Sequence, residues 1–391
     1  MTATNSISES ITMSSNTIWI ISGEASGDDY GAGLARAIAK RRPDVTIRGM
    51  GSDKMRAAGV DIMVDSTDLG IVGIVEVFRH IRFFLNLMKD LTARAAAEQP
   101  DAVVMIDYPG FNIRFAQRLH KIGIPVVYYI SPQVWAWKAG RIPKIAACVS
   151  RMLCIFPFEP EVYAKTSMRT EFVGHPLLET LAPYTSQPED RDPNLVILLP
   201  GSRRAEITRL LPDFLRAAQI LKKQNPALRF HAPMRNAQAI GMAKGIIAEQ
   251  LAGEDVPELE FSAGDAREWL RKGTAGIAAS GTITVEATIL GLPVVVAYKL
   301  NWLTWQYAKR AVKLPSITIA NLVTKETVFE ERLQHDATPQ NLASSLADIL
   351  PGGKRREQTI DGMKKCVRML GENWPVSDNV AKNVLEVAGL A

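Results

Sequence analysis

The sequence is short of cysteine, of long apolar runs and of any dense block of one charge, and each shortage removes a class of protein. Three cysteines, Cys148, Cys154 and Cys366, stand in 391 residues, an odd number with no CxxC spacing. A disulfide framework is not expected, and the thiols suit a reducing compartment. No apolar run reaches about 18 residues, so no segment is expected to span a bilayer. Residues 1–16 are rich in Ser and Thr, with no basic side chain and no apolar centre. They read as a disordered lead-in, not a signal peptide. The formal net charge is +5, spread without a Lys/Arg block. That argues against nucleic acid and suits an anionic ligand or an acidic membrane surface. A Walker GxxxxGK[ST] is absent, as are HExxH and any Cys/His cluster. Neither a P-loop ATPase nor a metal site is indicated, and no cofactor is expected. A literal Asp190-Arg-Asp192 lies in a Pro-rich polar stretch, away from a strand end, and is discounted as a metal site.

What is present is α/β alternation, twice over, in a chain that is 47% hydrophobic and 22% charged. In the first half, strands are expected at 17–22, 45–50, 102–107, 125–130, 151–155 and 170–173. In the second they are expected at 195–199, 228–232, 258–262, 275–278 and 293–298. Helices are expected at 203–225, 237–250, 265–272 and 282–290, with periodic closing segments at 339–349, 357–370 and 377–388. The economical solution is two open parallel sheets, each covered by helices, facing a cleft. The expected division is a lead-in over 1–16, a first Rossmann-like domain over 17–181, and a Pro-rich linker over 182–194. A second Rossmann-like domain follows over 195–355, then C-terminal helices over 356–391 that pack back on the first domain.

Leu195-Val-Ile-Leu-Leu-Pro-Gly-Ser-Arg-Arg204 reads as a buried strand, a tight turn and a helix start. Gly201, Ser202 and Arg203 there can hold a diphosphate on free N–H groups, the helix dipole and a fixed cation, with Ser202 as the cap. The same stretch also fits an ordinary strand-to-helix turn. A second such unit runs through Ala279-Ser-Gly-Thr-Ile-Thr-Val-Glu286. Its Ser280, Gly281 and Thr282 form the turn, and Glu286 can hold ribose hydroxyls. A third lies at Ser22-Gly-Glu-Ala-Ser-Gly-Asp28, where small residues allow a close ligand approach and Glu24, Ser26 and Asp28 are candidates. Asp107 ends a buried strand, where a carboxylate can remove a proton, or can cap the helix that follows. Asn112, Trp135, Trp137 and His175 are further candidates near strand ends; buried packing is the competing account for the two Trp, and a lone His is more often structural. Phe78, Ile81, Phe84, Leu85 and Met88 recur at helical spacing among basic residues. They read either as a membrane or acyl-chain face or as an ordinary helix on a sheet.

Taken in order, Ser-Gly-Glu-Ala-Ser-Gly-Asp28, Ile-Asp-Tyr-Pro-Gly-Phe-Asn112, Ser131-Pro-Gln-Val-Trp-Ala-Trp137, Phe-Val-Gly-His-Pro176, Leu-Pro-Gly-Ser-Arg203 and Ala-Ser-Gly-Thr282 resemble the lipid-A-disaccharide synthase family of bacterial glycosyltransferases. The resemblance covers about residues 17–375 and implies the GT-B fold. It implies inverting, metal-free transfer of 2,3-diacylglucosamine from UDP to 2,3-diacylglucosamine 1-phosphate (lipid X), giving the β-1′,6-linked disaccharide. It also implies a cytoplasmic protein, peripheral on the inner face of the inner membrane, with the oligomeric state open and a homodimer allowed. By the same resemblance Asp107 is the base, Arg203 the diphosphate contact, and Ser280, Gly281, Thr282 and Glu286 the donor turn. Where the family often reads Leu-Pro-Asn, this chain has Leu314-Pro-Ser-Ile-Thr-Ile-Ala-Asn321, and Asn321 is a donor-site candidate. Two other readings stand beside this one. A UDP-sugar 2-epimerase would not call for the amphipathic 76–94 segment. A non-catalytic nucleotide-sugar binder would have no use for Asp107.

Overall fold

The structure is a computed structural model that describes residues 16–67, 81–137, 139–186, 191–302, 304–306 and 314–391; of Ile81 and Trp137 it describes the backbone alone. The chain forms two compact units, one of Met1–Val173 with Pro375–Ala391 and one of Gly174–Trp374. Each is a parallel sheet covered by helices, the two-domain α/β class expected from the sequence.

Unit 1 holds seven strands: β1 (Thr17–Ser22), β2 (Thr46–Gly51), β3 (Asp61–Asp65), β4 (Ala102–Ile106), β5 (Val126–Tyr129), β6 (Arg151–Cys154) and β7 (Arg169–Phe172). Their order is β3-β2-β1-β4-β5-β6-β7, every pair parallel. β4 reads Ala-Val-Val-Met-Ile and is buried along its length, as a strand covered on both faces must be. The helix Ala25–Arg41 buries Gly27, Gly31, Leu34, Ala35 and Ile38, an apolar stripe at helical spacing. The helix Val376–Val387 belongs to this unit. Arg41 grips Asp378 with two bonds of 2.6 Å. The buried Arg151 donates to Asn383 Oδ1 and Glu386 Oε2, each at 2.7 Å. Of the two closing helices expected to return to the first domain, Arg356–Met369 instead lies in unit 2.

Unit 2 holds β8 (Leu195–Leu199), β9 (Arg229–Met234), β10 (Leu259–Ala263), β11 (Ala275–Ala279), β12 (Val294–Tyr298) and β13 (Glu331–Leu333), ordered β10-β9-β8-β11-β12-β13. Its core joins the sheet to the helix Arg204–Gln224 through Ile207, Leu210, Leu211 and Phe214, all buried. The expected 182–194 linker begins inside a helix, Leu177–Thr185, which carries Pro183 in its last turn. Residues 187–190, which include Asp190, lie outside the described residues.

In each sheet the order reverses once, between β1 and β4 and between β8 and β11. Loops leaving the carboxyl ends of such a pair diverge and open a crevice, the usual ligand position in open parallel sheets. Four of the six sequence motifs lie in loops that leave these four strands, whereas Ser131–Trp137 follows β5 and Val173–Pro176 follows β7.

Candidate active site

In unit 1 the exit of β4 is a strained turn. Asp107 and Tyr108 take φ of 45° and 47°, left-handed values that non-glycine residues seldom adopt. Two donors hold the Asp107 carbonyl in that conformation: Asn112 Nδ2 at 2.8 Å and Tyr128 Oη at 2.7 Å. Both residues are fully buried. The Asp107 N–H donates to Tyr129 O at 3.1 Å. Pro109 then opens the helix Pro109–Lys121, where its missing N–H costs nothing. The Tyr108 ring lies over Gly23, where a Cβ would come within 2.6 Å of the ring, so only glycine allows the β1 and β4 loops to meet this closely. The Asp107 side chain is partly buried. Its carboxyl is pushed up to about 6, first by burial and then by the charge of Glu24, against a lowering contact from the Tyr108 backbone. Glu24 itself is exposed at the start of the helix Ala25–Arg41. A carboxylate held near pH 6 can accept a proton at neutral pH more readily than an ordinary one.

The other unit 1 candidates divide. Asp28 is spent on structure. Its oxygens accept from Ser52 N at 2.6 Å, Ser52 Oγ at 2.7 Å and Lys54 N at 3.0 Å, capping the helix Asp53–Ala57. It is therefore a cap and not a free acceptor-site carboxylate. Ser26 is exposed on the first turn of its helix. Trp135 is fixed by its indole N–H to Glu159 Oε1 at 3.1 Å and by an edge-on contact with Phe158 at 5.0 Å. Glu159 carries no signal in the sequence. It is fully buried, accepts the Ile155 and Phe156 N–H groups at 3.1 Å each, and is pushed up to about 7 by burial. The Trp137 side chain and Phe78 lie outside the described residues.

The helix Ile81–Glu98 corrects part of the membrane-face expectation. Met88 and Leu91 are buried in the unit 1 core and Phe84 packs against it. Phe83 and Leu85 point outward, each 48% exposed. Arg82, Lys89 and Arg94 are exposed on the same helix.

In unit 2 the exit of β8 turns on Gly201 at φ 103°. The expected Ser202 cap is not made. The cap position is Arg203, and Glu206 folds back to accept the Ser202 and Arg203 N–H groups at 3.1 and 3.2 Å. Glu206 also accepts from Arg203 Nη1 at 3.0 Å. At the β11 exit, Gly281 and Thr282 are exposed and open the helix Thr282–Ile289; nothing lies within 4 Å of where a Gly281 side chain would begin. Glu286, in that helix, is pushed up by burial, with Arg267 opposing and Asp265 adding to the shift.

Asn321 and His175 do not stand free for a ligand. Asn321 is buried, donates to Phe329 O at 2.9 Å and Glu331 Oε1 at 3.1 Å, and accepts from Phe329 N at 2.9 Å. Glu331, which the sequence did not mark, also accepts from Ser316 Oγ, Ile317 N and Thr318 N, and so organises the 316–321 loop. That loop touches the β11 turn where Ser280 Oγ donates to Ile317 O at 3.4 Å. His175 is buried, accepts the Leu177 N–H on Nδ1 at 3.2 Å, and is pushed down to about 3 by burial. It is neutral at physiological pH and caps a helix, which removes it as a cationic phosphate donor. Among the described residues no group of three or more His, Cys, Asp or Glu could hold a metal ion.

The family model described as lipid-A-disaccharide synthetase matches residues 18–384. The chain belongs to that family. Curated lipid-A-disaccharide synthases agree: that of Coxiella burnetii (strain Dugway 5J108-111) is 38% identical over 379 residues, 95% of this chain and 98% of its own. That of Geobacter sulfurreducens is 38% identical over 384 residues, covering 96% and 98%. Among solved structures, the UDP-GlcNAc 2-epimerase of Neisseria meningitidis, bound to UDP-GlcNAc, is similar at a TM-score of 0.66 and 14% identity, over 95% of this chain and all of that one. MurG of Acinetobacter baumannii is similar at a TM-score of 0.55 and 13% identity, over 95% and 99%. Likeness at that identity speaks for the GT-B fold alone and does not favour an epimerase. Membership of the lipid-A-disaccharide synthetase family makes this chain a glycosyltransferase of lipid A biosynthesis.

Proposed function

We propose that the chain condenses UDP-2,3-diacylglucosamine with 2,3-diacylglucosamine 1-phosphate, with Asp107 as the base. The acceptor 6-hydroxyl gives its proton to the Asp107 carboxylate as its oxygen bonds to the donor's anomeric carbon. The bond from that carbon to the phosphate oxygen breaks, and UDP leaves with the electron pair. Attack from the face opposite the leaving group inverts the centre. The observation that carries this reading is the Asp107 turn, which sets a carboxyl raised to about 6 on a backbone whose carbonyl is held by two buried donors, at a strand-order reversal. On the donor side, Arg203 and the open Ser280–Gly281–Thr282 turn receive the diphosphate, and Glu286 receives the ribose. Neutralising a leaving diphosphate with a guanidinium and helix N–H groups needs no metal.

The lipid side of the reaction is assigned to Phe83 and Leu85. Two exposed apolar side chains among exposed basic residues on one helix suit an anionic inner-membrane surface. No described helix is long and apolar enough to cross a membrane. Incubation with UDP-2,3-diacylglucosamine and lipid X, read by mass spectrometry, is expected to give a disaccharide 1-phosphate and UDP; hydrolysis or epimerisation alone would refute the reading. Phe83→Glu with Leu85→Glu is expected to lower sedimentation with anionic vesicles at unchanged melting temperature. Wild-type sedimentation would remove this helix from the membrane contact.

A further inference from the structure

Glu206 occupies the turn in which the sequence suggests a ligand anion. Its Oε2 takes both backbone N–H groups, of Ser202 and Arg203, and its Oε1 takes one nitrogen of the Arg203 guanidinium. The fit is close, since a Cβ on Gly201 would stand 2.5 Å from Oε2. The Glu206 side chain is 16% exposed, whereas that of Arg203 is 79% exposed. A carboxylate that only capped the helix would need the backbone bonds alone. The third bond goes to the side chain assigned to the diphosphate.

We propose that Glu206 is the positioning residue of the donor site, rather than a helix cap alone. It fills the anion-binding turn permanently and holds the Arg203 guanidinium by one edge. The inference rests on the reading of Arg203 as the diphosphate contact. One consequence separates it from that reading. The Ser202 and Arg203 N–H groups do not touch the nucleotide, because a second anion there would have to displace a charge-assisted set of bonds. The diphosphate is instead met by the side chain of Arg203. An exposed arginine left to itself samples many rotamers, and ordering it on binding opposes affinity. Tethering one nitrogen removes part of that cost before the nucleotide arrives.

The test is a double-mutant cycle read by calorimetric titration of UDP into the full chain. Arg203→Ala is expected to weaken UDP binding by about tenfold, the loss typical of a hydrogen bond to a charged group. Glu206→Gln keeps the size, loses the charge, and is expected to weaken UDP binding by roughly the same factor. The double variant is expected to bind no more weakly than Arg203→Ala, since both changes remove one function. In steady state, Glu206→Gln is expected to raise the donor KM and leave kcat within about threefold. Wild-type UDP affinity in Glu206→Gln overturns the proposal. So does a loss that adds in full to that of Arg203→Ala, the signature of a cap acting through stability. Should Glu206→Gln be too unstable to titrate, Glu206→Asp keeps the charge but withdraws it by one methylene, and the same loss without additivity is expected. Unchanged affinity in Arg203→Ala would overturn the donor-site reading itself.

Discussion

β4 in unit 1 and β11 in unit 2 hold the same place in their sheets, each fourth in order and the first strand beyond the reversal. After β4 the chain turns on Asp107 and Tyr108, two side chains in left-handed backbone, with the Tyr108 ring closed down on Gly23. After β11 it turns on Ser280 and Gly281, with Gly281 and Thr282 exposed and open space beside Gly281. Left-handed backbone costs roughly 1–2 kcal/mol per non-glycine residue, so the first turn persists only because its surroundings hold it. Asn112 and Tyr128 do so from inside the core. The difference is one of purpose. The β4 turn gives up backbone freedom to fix one side chain, whereas the β11 turn leaves its backbone uncovered for something else to meet.

The comparison breaks most sharply at Asp107 itself. Asp107→Asn is close to isosteric and is expected to lower kcat by about 10²–10⁴-fold, the usual contribution of a general base. UDP affinity, which the proposed donor site places on unit 2, is expected to hold. If Asp107 were only a cap, Asn would serve almost as well and kcat would stay near wild type. Parallel measurement of kcat and UDP affinity decides the point.

A smaller effect is expected from Tyr128→Phe, which removes one of the two donors to the Asp107 carbonyl. The net worth of such a bond is about 1 kcal/mol, so kcat is expected to fall several-fold with UDP affinity unchanged. Normal kcat with a lowered melting temperature would mean that the bond supports the fold and not the turn.

The smallest effect is a displacement along the pH axis. A base at Asp107, as proposed, must be ionised to act, so kcat is expected to fall below about pH 6. Glu24→Gln removes the second cause of the shift and is expected to move that limb to lower pH. The limb stays above the ordinary carboxylate range, because burial is the first cause. For stability the sign is the reverse of the usual acid case. A carboxyl that holds its proton more tightly when folded favours the native state at low pH, and this contribution is lost as pH rises through about 6. A limb that does not move in Glu24→Gln would remove Glu24 from the electrostatics of the base.

Much of this architecture is legible in short buried runs. Leu195–Leu199 and Thr17–Ser22 fall where the apolar pattern places them, because central parallel strands are apolar on both faces. The edge strand β3, Asp-Ile-Met-Val-Asp, escapes that rule, being flanked by charge and only half covered. The helix Leu177–Thr185 escapes because Pro183 reads as a linker signal, although a proline in a final turn removes little. At the site, position was legible and partnership was not. Asp107 shows as a polar residue ending an apolar run, but nothing local marks Tyr128, 21 residues away, as the donor that holds its turn. Asp28 and Asn321 look like site residues because they are polar within glycine-rich or loop segments. Both are occupied by backbone partners outside their own segment, Ser52 for Asp28 and Phe329 for Asn321. Glu206 was visible in the first turn of its helix, yet its reach back across Gly201 depends on the turn closing.

The clasp of Arg151 on Asn383 and Glu386 has a consequence for how the chain comes to be folded. Unit 1 is discontinuous: its last helix, Val376–Val387, follows the whole of unit 2 in the chain. During synthesis β1 to β7 leave the ribosome long before the residues that neutralise the guanidinium of Arg151. Until then a cation destined for the interior has no carboxylate, and the helix Ala25–Arg41 lacks the neighbour that Arg41 binds through Asp378. The first unit to be made is thus the last to be completed, and its partly covered sheet must wait while unit 2 folds. Loss of the final helix would strand a buried charge in unit 1 and leave the residues of unit 2 untouched.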